Sequence, residues 1–318
     1  MITSEDQGWA ATRAWVERRF AAGERIADVT RLRGGWTSEM RRLDIVGADG
    51  GGRALVLRSF VTPFYRRHAD GLLTREAAIL RLLADTDIPA ATLVDADPTA
   101  TACDHPSLLM SLLPGTVRLD DHGARHRADL LAAQLVRIHR VDVTSRTRPR
   151  TWQPWTSPER VRLPEQTTRP DLWRQAVDVI RQEPPAHRSC FLHRDYHPGN
   201  VLFDGSSDDV RISGVVDWVE TSWGPADLDV AHCSTALALL HGVPTGMSFA
   251  DRYLAAGGEL TDDNAAHLYW RLLDALAFAP DAEKVAVPWR ALGRHDLTAA
   301  LLTSRLEQYL QALLERYA

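Results

Sequence analysis

The sequence predicts an α+β protein in two parts: a small antiparallel sheet with one helix, then a larger and mainly helical segment. Before Pro114-Gly115, short segments alternate in the manner of β-strands and are separated by glycine-rich turns. After that pair, apolar residues recur mostly at helical spacing. The 318 residues suffice for two domains or one two-lobed unit. We place the parts at residues 1–112 and 113–318.

The first part opens with a helical period at 9–20, which Gly23 ends. A longer helix follows the third strand, with Leu72, Leu73 and Leu80 on one face. Strands are predicted at 26–32, 40–46, 53–61, 92–96 and 107–113, and the longer helix at 65–83.

The second part alternates helices with irregular chain. Residues 144–170 are rich in Arg, Pro, Thr and Trp, and we interpret them as irregular. Helices are predicted at 126–139 and 170–181, short strands at 201–203 and 210–216, and a largely helical region at 226–317.

Composition excludes several classes of protein. The chain is 45% hydrophobic and 25% charged, with a net charge of −5, which argues against a nucleic-acid partner. No apolar run approaches the ~18 residues of a membrane span, and the acidic, polar N-terminus is unlike a signal peptide. Three scattered cysteines favour buried thiols in a reducing compartment. We therefore expect a cytoplasmic protein without membrane contact.

The segment His193-Arg194-Asp195, followed by Asn200, matches the spacing H-R-D-x-x-x-x-N of a phosphoryl-transfer catalytic loop. An acceptor hydroxyl needs a group that takes its proton, and Asp195 is the candidate. Mg²⁺ prefers hard oxygen ligands, and the amide oxygen of Asn200 is one. Pro198-Gly199 provides a tight, rigid turn between them.

Two further carboxylates follow the loop. Asp217 ends an apolar strand 22 residues after Asp195, which is the expected place for a second metal ligand. Asp229 lies near the start of a helix after Gly224-Pro225, and we expect it to accept backbone N–H groups of the catalytic loop. Asp227 is more simply explained by the helix dipole.

These three stretches resemble the aminoglycoside phosphotransferase and choline-kinase-like family, which is related to the protein kinases. The resemblance covers nearly the whole chain, and the catalytic loop is its most specific part. One departure is that Gly224-Pro225 lacks the acidic residue often found between them. The resemblance implies a bilobal protein-kinase-like fold, with ATP or another NTP and Mg²⁺ as cofactors. It also implies a loop-packing role for His193.

The resemblance assigns nucleotide-binding roles in the first part. Arg58 occupies the position of the phosphate-binding lysine, and Glu76 on the following helix would pair with it. The only lysine is Lys284, so no lysine can take that place. The turn containing Gly35 and Ser38 would cover the phosphates. The backbone near Met110 and Leu112 would bind adenine.

The acceptor is expected to be a small hydroxylated molecule, such as an aminoglycoside, another antibiotic or a metabolite. Only six residues separate Asp217 from Gly224-Pro225, so there is no room for the activation segment of a protein kinase. Glu220 could contact an amine, and Trp223 and Trp270 could stack on a sugar or base. His197 could support the loop or lie near a phosphate.

Two alternatives remain: a non-catalytic nucleotide-binding module, for which Arg58 is the argument, and a Ser/Thr protein kinase. The sequence leaves open the acceptor, a role in antibiotic resistance or metabolism, and the oligomeric state.

Overall fold

The structure, a computed structural model, describes residues 8–32, 38–206 and 209–318. The chain forms two compact units. The first comprises Met1–Pro114 together with Val216–Val219, and the second comprises Gly115–Val215 together with Glu220–Ala318. The sequence division places Asp217 in the second part, whereas in the structure its short segment groups with the first unit.

The first unit contains one five-stranded antiparallel sheet of order β1-β2-β3-β5-β4. Its elements are α1 (Ala10–Glu17), β1 (Arg25–Arg31), β2 (Glu39–Val46), β3 (Gly52–Ser59), α2 (Pro63–Arg66), α3 (Ala69–Leu83), β4 (Leu93–Asp97) and β5 (Ser107–Ser111).

Strand β3 is buried on both faces at its carboxyl end. Because side chains alternate along a strand, Leu55 and Leu57 point to one face, where they join a core with Trp15 of α1. Arg58 points to the opposite face, and it is only 5% exposed. This alternation places one buried cation on the face away from the α1 core.

The second unit is mainly helical and carries two small two-stranded sheets, β6-β9 and β7-β8. Its elements are α4 (Ala124–His139), α5 (Pro170–Ile180), β6 (Ser189–Leu192), β7 (Val201–Asp204), β8 (Arg211–Val215), β9 (Ser222–Pro225), α6 (Ala226–His241), α7 (Val243–Met247), α8 (Phe249–Ala255), α9 (Asn264–Leu276), α10 (Glu283–Ala291) and α11 (Ala299–Tyr317).

Helix α6 is the centre of the second unit. Its residues from Asp227 to Leu240 are all buried, because the sequence is apolar or small around the whole helix. Helices α9 and α11 contribute to the same core, which includes Trp270 and Tyr309. A fully buried helix can hold polar side chains only where partners meet them, and Asp229 and His232 are such side chains.

The fold class predicted from the sequence is confirmed, and two details differ. The predicted helix 65–83 is divided into α2 and α3. Strands β6 and β9 were not predicted, because each has four residues and β9 contains Gly224 and Pro225, which are typical of turns. Gly224 is required there because a Cβ atom would lie 2.5 Å from the Trp152 ring. No helix among the described residues has the length and apolarity needed to cross a membrane.

Candidate active site

In the first unit, Arg58 is the centre of a buried ionic cluster. Its Nη1 donates to both carboxylate oxygens of Glu76 at 2.9 Å and to Oδ1 of Asp217 at 3.1 Å. Its Nε donates to Ser38 Oγ at 3.0 Å. One guanidinium group therefore serves two carboxylates, and the planar donor geometry of arginine allows this.

The cluster changes the protonation equilibria of its members. Burial lowers the pKa of Arg58, but the negative charges of Asp217 and Glu76 outweigh burial, so the net pKa is raised and Arg58 stays charged. Burial raises the pKa of Glu76, and the charge of Arg58 only partly offsets that rise, so the net pKa is about 6. The ionised form of Glu76 is thus stabilised by the positive charge of Arg58.

Asp217 has a backbone φ of +65°, in the left-handed region that few residues other than glycine adopt. Arg194, in the catalytic loop, has a φ of +73°. Such conformations cost about 1–3 kcal/mol each and concentrate at functional sites. The two residues lie in the two segments that the sequence analysis selected.

Several predicted nucleotide contacts have other partners in the structure. Ser38 is 7% exposed and accepts from Arg58, so it holds the guanidinium group in place. Leu112 donates its N–H to Ala54 O at 3.2 Å. Met110 lies in β5, paired with β3 and β4. Gly35 lies outside the described residues.

In the second unit, Asp229 holds the catalytic loop. It is fully buried, and its two carboxylate oxygens accept the backbone N–H groups of His193 at 2.8 Å and Arg194 at 2.7 Å. His139 of α4 contacts the same carboxylate at 3.1 Å. Although burial raises the pKa of Asp229, these contacts lower it below the usual value. The ionised carboxylate therefore acts as a clamp on the loop.

Both carboxylate oxygens of Asp195 have partners. Oδ1 is 3.1 Å from Nε2 of His232, and Oδ2 accepts from the side-chain amide of Asn200 at 3.0 Å. The same amide nitrogen donates to the Asp195 carbonyl oxygen at 2.9 Å. The side chain of Asp195 is 32% exposed, so it is held firmly while it keeps access to solvent.

His232 bridges Asp195 to a second acid. Its Nδ1 is 2.9 Å from Oδ1 of Asp274, which lies in α9 and is 4% exposed. Burial lowers the pKa of His232, but the charges of Asp274 and Asp195 raise it to about 9. For Asp195, burial raises the pKa, yet the hydrogen bond from His232 and the charge of His197 lower it well below the usual range.

The two other histidines of the loop have supporting contacts. His193 is fully buried, and its Nδ1 accepts the backbone N–H of Asp195 at 3.2 Å. His197 accepts the N–H of Gly199 at 3.0 Å, and its Nε2 lies 3.8 Å from Oδ1 of Asp195. His197 therefore holds the turn and directs its Nε2 toward Asp195.

The irregular stretch before α5 packs on the loop. The guanidinium of Arg194 lies over Trp155, 4.3 Å from the ring centroid, and donates to Gln153 O at 3.0 Å. Trp155 also meets the His232 ring edge-on at 4.9 Å. This stretch thus packs against one side of the catalytic loop and of His232.

The three residues predicted to contact the acceptor have different surroundings in the structure. Glu220 is paired with Arg150 at 2.5 Å, so an amine would compete with a guanidinium for it. Trp223 lies beneath Arg148 at 4.9 Å. Trp270 is 1% exposed and packs edge-on against Trp152, which makes it a core residue rather than a platform for a sugar.

His232 and Asp274 were not predicted. They lie in helices whose apolar neighbours hide them, and no local spacing links them to the loop. One signal was present in the sequence. Ionisable residues inside otherwise apolar helices are rarely buried without partners, so each of the two could have been expected to contact an oppositely charged group.

The comparisons with known proteins define the class of this chain as a phosphotransferase with a protein-kinase-like fold. The chain belongs to the phosphotransferase enzyme family, whose model matches residues 28–270. A curated relative is acyl-CoA dehydrogenase family member 10 of Mus musculus, 25% identical over 214 residues. That match includes 62% of this chain and only 20% of the length of the mouse protein.

Solved structures show the same fold. Aminoglycoside phosphotransferase APH(4)-Ia has a TM-score of 0.61 at 17% identity, with 97% of this chain and 99% of that chain covered. Macrolide 2'-phosphotransferase type I has a TM-score of 0.56 at 20% identity, with 100% and 98% covered. A thermostable mutant of APH(4)-Ia has been solved as ternary complexes of hygromycin B with ADP or AMP-PNP.

Proposed function

We propose that this protein transfers the γ-phosphoryl group of ATP, or of another NTP, to a hydroxyl group of a small molecule. The observation that carries the proposal is the arrangement of Asp195. Its two oxygens are fixed by His232 and Asn200, its backbone segment is clamped by Asp229, and its side chain is partly exposed. Such a carboxylate is suited to orient an acceptor hydroxyl.

Asp195 would accept a hydrogen bond from the attacking hydroxyl and take its proton as the phosphoryl group moves. Phosphoryl transfer proceeds through a loose transition state, so positioning and charge neutralisation outweigh strong base catalysis. A carboxylate whose pKa is lowered by His232 and His197 fits this requirement, because it aligns the hydroxyl without abstracting the proton early.

Arg58 would bind phosphate oxygens in place of the usual lysine. Arginine remains charged in a buried setting and presents several donors to one anion. In the structure, Nη1 contacts the two acids while Nε contacts Ser38. Glu76 would keep the guanidinium oriented while it contacts a phosphate.

The oxygen atoms of Asn200 and Asp217 suit Mg²⁺. The amide nitrogen of Asn200 is engaged by Asp195, so its oxygen is the atom that a hard cation would bind. The Asp217 side chain is 39% exposed and shares one oxygen with Arg58. Bound Mg²⁺ would neutralise charge on the transferred phosphate.

The acceptor is proposed to be a hydroxylated antibiotic or metabolite. Structural relatives include enzymes named for aminoglycosides and macrolides, and one was solved with hygromycin B. The short interval between Asp217 and α6 supports a small acceptor over a protein. Because Arg150 neutralises Glu220, we favour acceptors with few positive charges near the reacting hydroxyl.

The test compares the wild-type chain with Asp195→Asn in an ATP-consumption screen against hygromycin B, other aminoglycosides, macrolides, nucleosides and amino alcohols. We expect phosphorylation of at least one acceptor, lost by more than about 100-fold in the variant because proton acceptance is removed. ATP affinity, measured by thermal shift with Mg²⁺, should change little.

Three results would redirect the assignment. ATP binding without turnover on any acceptor would indicate the non-catalytic nucleotide-binding module. Phosphorylation of a generic protein substrate such as casein, with none of the small molecules modified, would indicate a protein kinase. Full activity of Asp195→Asn would remove Asp195 from the catalytic role.

A further inference from the structure

Asp274, His232 and Asp195 form a continuous hydrogen-bonded series in the second unit. The distances are 2.9 Å from Asp274 Oδ1 to His232 Nδ1 and 3.1 Å from His232 Nε2 to Asp195 Oδ1. Asp274 and His232 are each 4% exposed, and they lie in α9 and α6. The series therefore leads from the helical core to the proposed catalytic carboxylate.

The hydrogen-bond chemistry of this series determines the state of the histidine. Ionised carboxylates only accept hydrogen bonds, so while Asp274 and Asp195 are both ionised each ring nitrogen of His232 donates, and the ring is an imidazolium. A neutral ring would leave one nitrogen lone pair facing a carboxylate oxygen inside the protein, which is costly. The opposing charges of Asp274 and Asp195 compensate the buried cation.

The ring plane is held as well. Phe278 stacks on the His232 ring with centroids 5.8 Å apart and an angle of 23° between the planes. Trp155 meets the ring edge-on at 4.9 Å and 82°. Since the imidazolium can neither rotate freely nor reach water, Oδ1 of Asp195 is bound in one direction while Asn200 binds Oδ2.

We propose that His232 is a positioning residue for the phosphoryl transfer, and that Asp274 keeps it doubly protonated and oriented toward Asp195. This inference rests on the proposed function, because it assigns His232 a role through Asp195. The donated hydrogen bond fixes the side-chain rotamer of Asp195.

A competing explanation is a metal site, since ligand atoms of Asp195, His197 and His232 lie within 4.8 Å of one another. An imidazolium with both nitrogens protonated has no lone pair for a metal. The engagement of both His232 nitrogens by carboxylates thus favours positioning over metal binding.

The first experiment needs no acceptor. Full-length protein labelled with ¹⁵N-histidine is examined by long-range ¹H–¹⁵N NMR at pH 7, and the signals of His232 are assigned by their loss in His232→Phe. We expect both ring nitrogens to be protonated in the wild type. In Asp274→Asn, where one neighbour is no longer an ion, we expect the proportion of doubly protonated ring to fall. A neutral His232 ring in the wild type would overturn the inference.

The second experiment measures kcat and KM with MgATP and the acceptor phosphorylated fastest in the screen. His232→Phe keeps an aromatic ring against Phe278 but removes both hydrogen bonds. We expect kcat to fall about 100-fold, with each KM changed less than about threefold, because orientation and not binding is lost. His232→Gln, which retains one donor toward Asp195, should recover at least about tenfold of that loss.

His241→Phe is the matched control, because His241 is also on α6 and bonds an aspartate, Asp121, at 2.6 Å. It should leave kcat unchanged. An undiminished kcat in His232→Phe, beside an inactive Asp195→Asn, would refute the positioning role and leave the proposed function intact. An active Asp195→Asn would remove the catalytic role of Asp195 and with it the positioning role of His232. A wild-type chain that phosphorylates no acceptor would refute the proposed function itself, and the NMR result would then decide only the hydrogen-bonded series.

Discussion

Removal of the Arg58 side chain should expose how strongly the first unit depends on one ionic cluster. In Arg58→Met the side-chain volume is largely retained, but Glu76 loses the donor that contacts both of its oxygens. Glu76 is only 2% exposed, so water cannot replace the guanidinium. Asp217 is 39% exposed in its side chain and can be hydrated, so the penalty should arise mainly at Glu76.

The magnitude follows from the pKa of Glu76. With Arg58 in place, that pKa is about 6. Fully buried glutamates without a counter-ion reach a pKa of roughly 8–9, so in the variant Glu76 takes up a proton at pH 7. Protonation limits the loss to the one pH unit between 6 and 7, and each unit corresponds to about 1.4 kcal/mol. We therefore expect a loss of about 1–2 kcal/mol in the free energy of unfolding at pH 7.

The assay is urea denaturation of nucleotide-free protein at pH 7 and pH 5. The loss arises because the variant must protonate Glu76, so it should shrink at pH 5, where that carboxyl is already largely protonated with Arg58 present. The double variant Arg58→Met/Glu76→Met should regain most of the lost stability, because no buried carboxyl is left to protonate.

Arg53→Met is the matched control on the same strand. Arg53 makes two hydrogen bonds of 2.9 Å to Glu24, but the pair is exposed, and we expect a much smaller loss than for Arg58. Equal losses for the two single variants would refute the reasoning. So would a double variant no more stable than Arg58→Met, or a loss independent of pH.

Three further predictions concern the second unit. Asp229→Asn should cost about 2–4 kcal/mol in urea denaturation, because one carboxylate accepts two buried backbone N–H groups, and an unchanged midpoint would contradict the clamp. The pKa of His232 is raised to about 9, so the stability that this histidine contributes is complete below pH 6.5 and is lost as pH rises through 9. The difference in free energy of unfolding between wild type and His232→Gln should therefore shrink over that range. A difference independent of pH would contradict the raised pKa. Gly246→Ala should lower Tm, since its Cβ would collide with the Ser234 carbonyl oxygen. The control Gly71→Ala faces only a flexible arginine side chain and should be neutral or stabilising. Equal Tm values for the two variants would contradict the packing argument.

Local patterns predicted much of the fold. The strands of the first unit and the helices at 126–139 and 170–181 correspond to observed elements, with ends that differ by a few residues. These succeeded because alternation and helical period are properties of neighbouring residues. Strands β6 and β9 were missed because four-residue strands have little pattern of their own and exist through their pairing.

The candidate site was selected by spacing where its residues are close along the chain. The interval between Asp195 and Asn200 is short, and in the structure the two side chains are hydrogen-bonded. The roles of Asp195, Asn200, Asp217, Arg58 and Glu76 remain predictions for the experiments above.

By itself, the sequence determined the catalytic-loop motif, the largely helical region at 226–317 and the presence of arginine where a lysine is usual. Only the tertiary structure decided that Trp270 is a core residue and that the N–H of Leu112 donates to Ala54. It also decided that His232 lies between Asp195 and Asp274. The physical reason is that these contacts join side chains from separate elements. Their distances depend on how helices and strands pack, which no local period specifies.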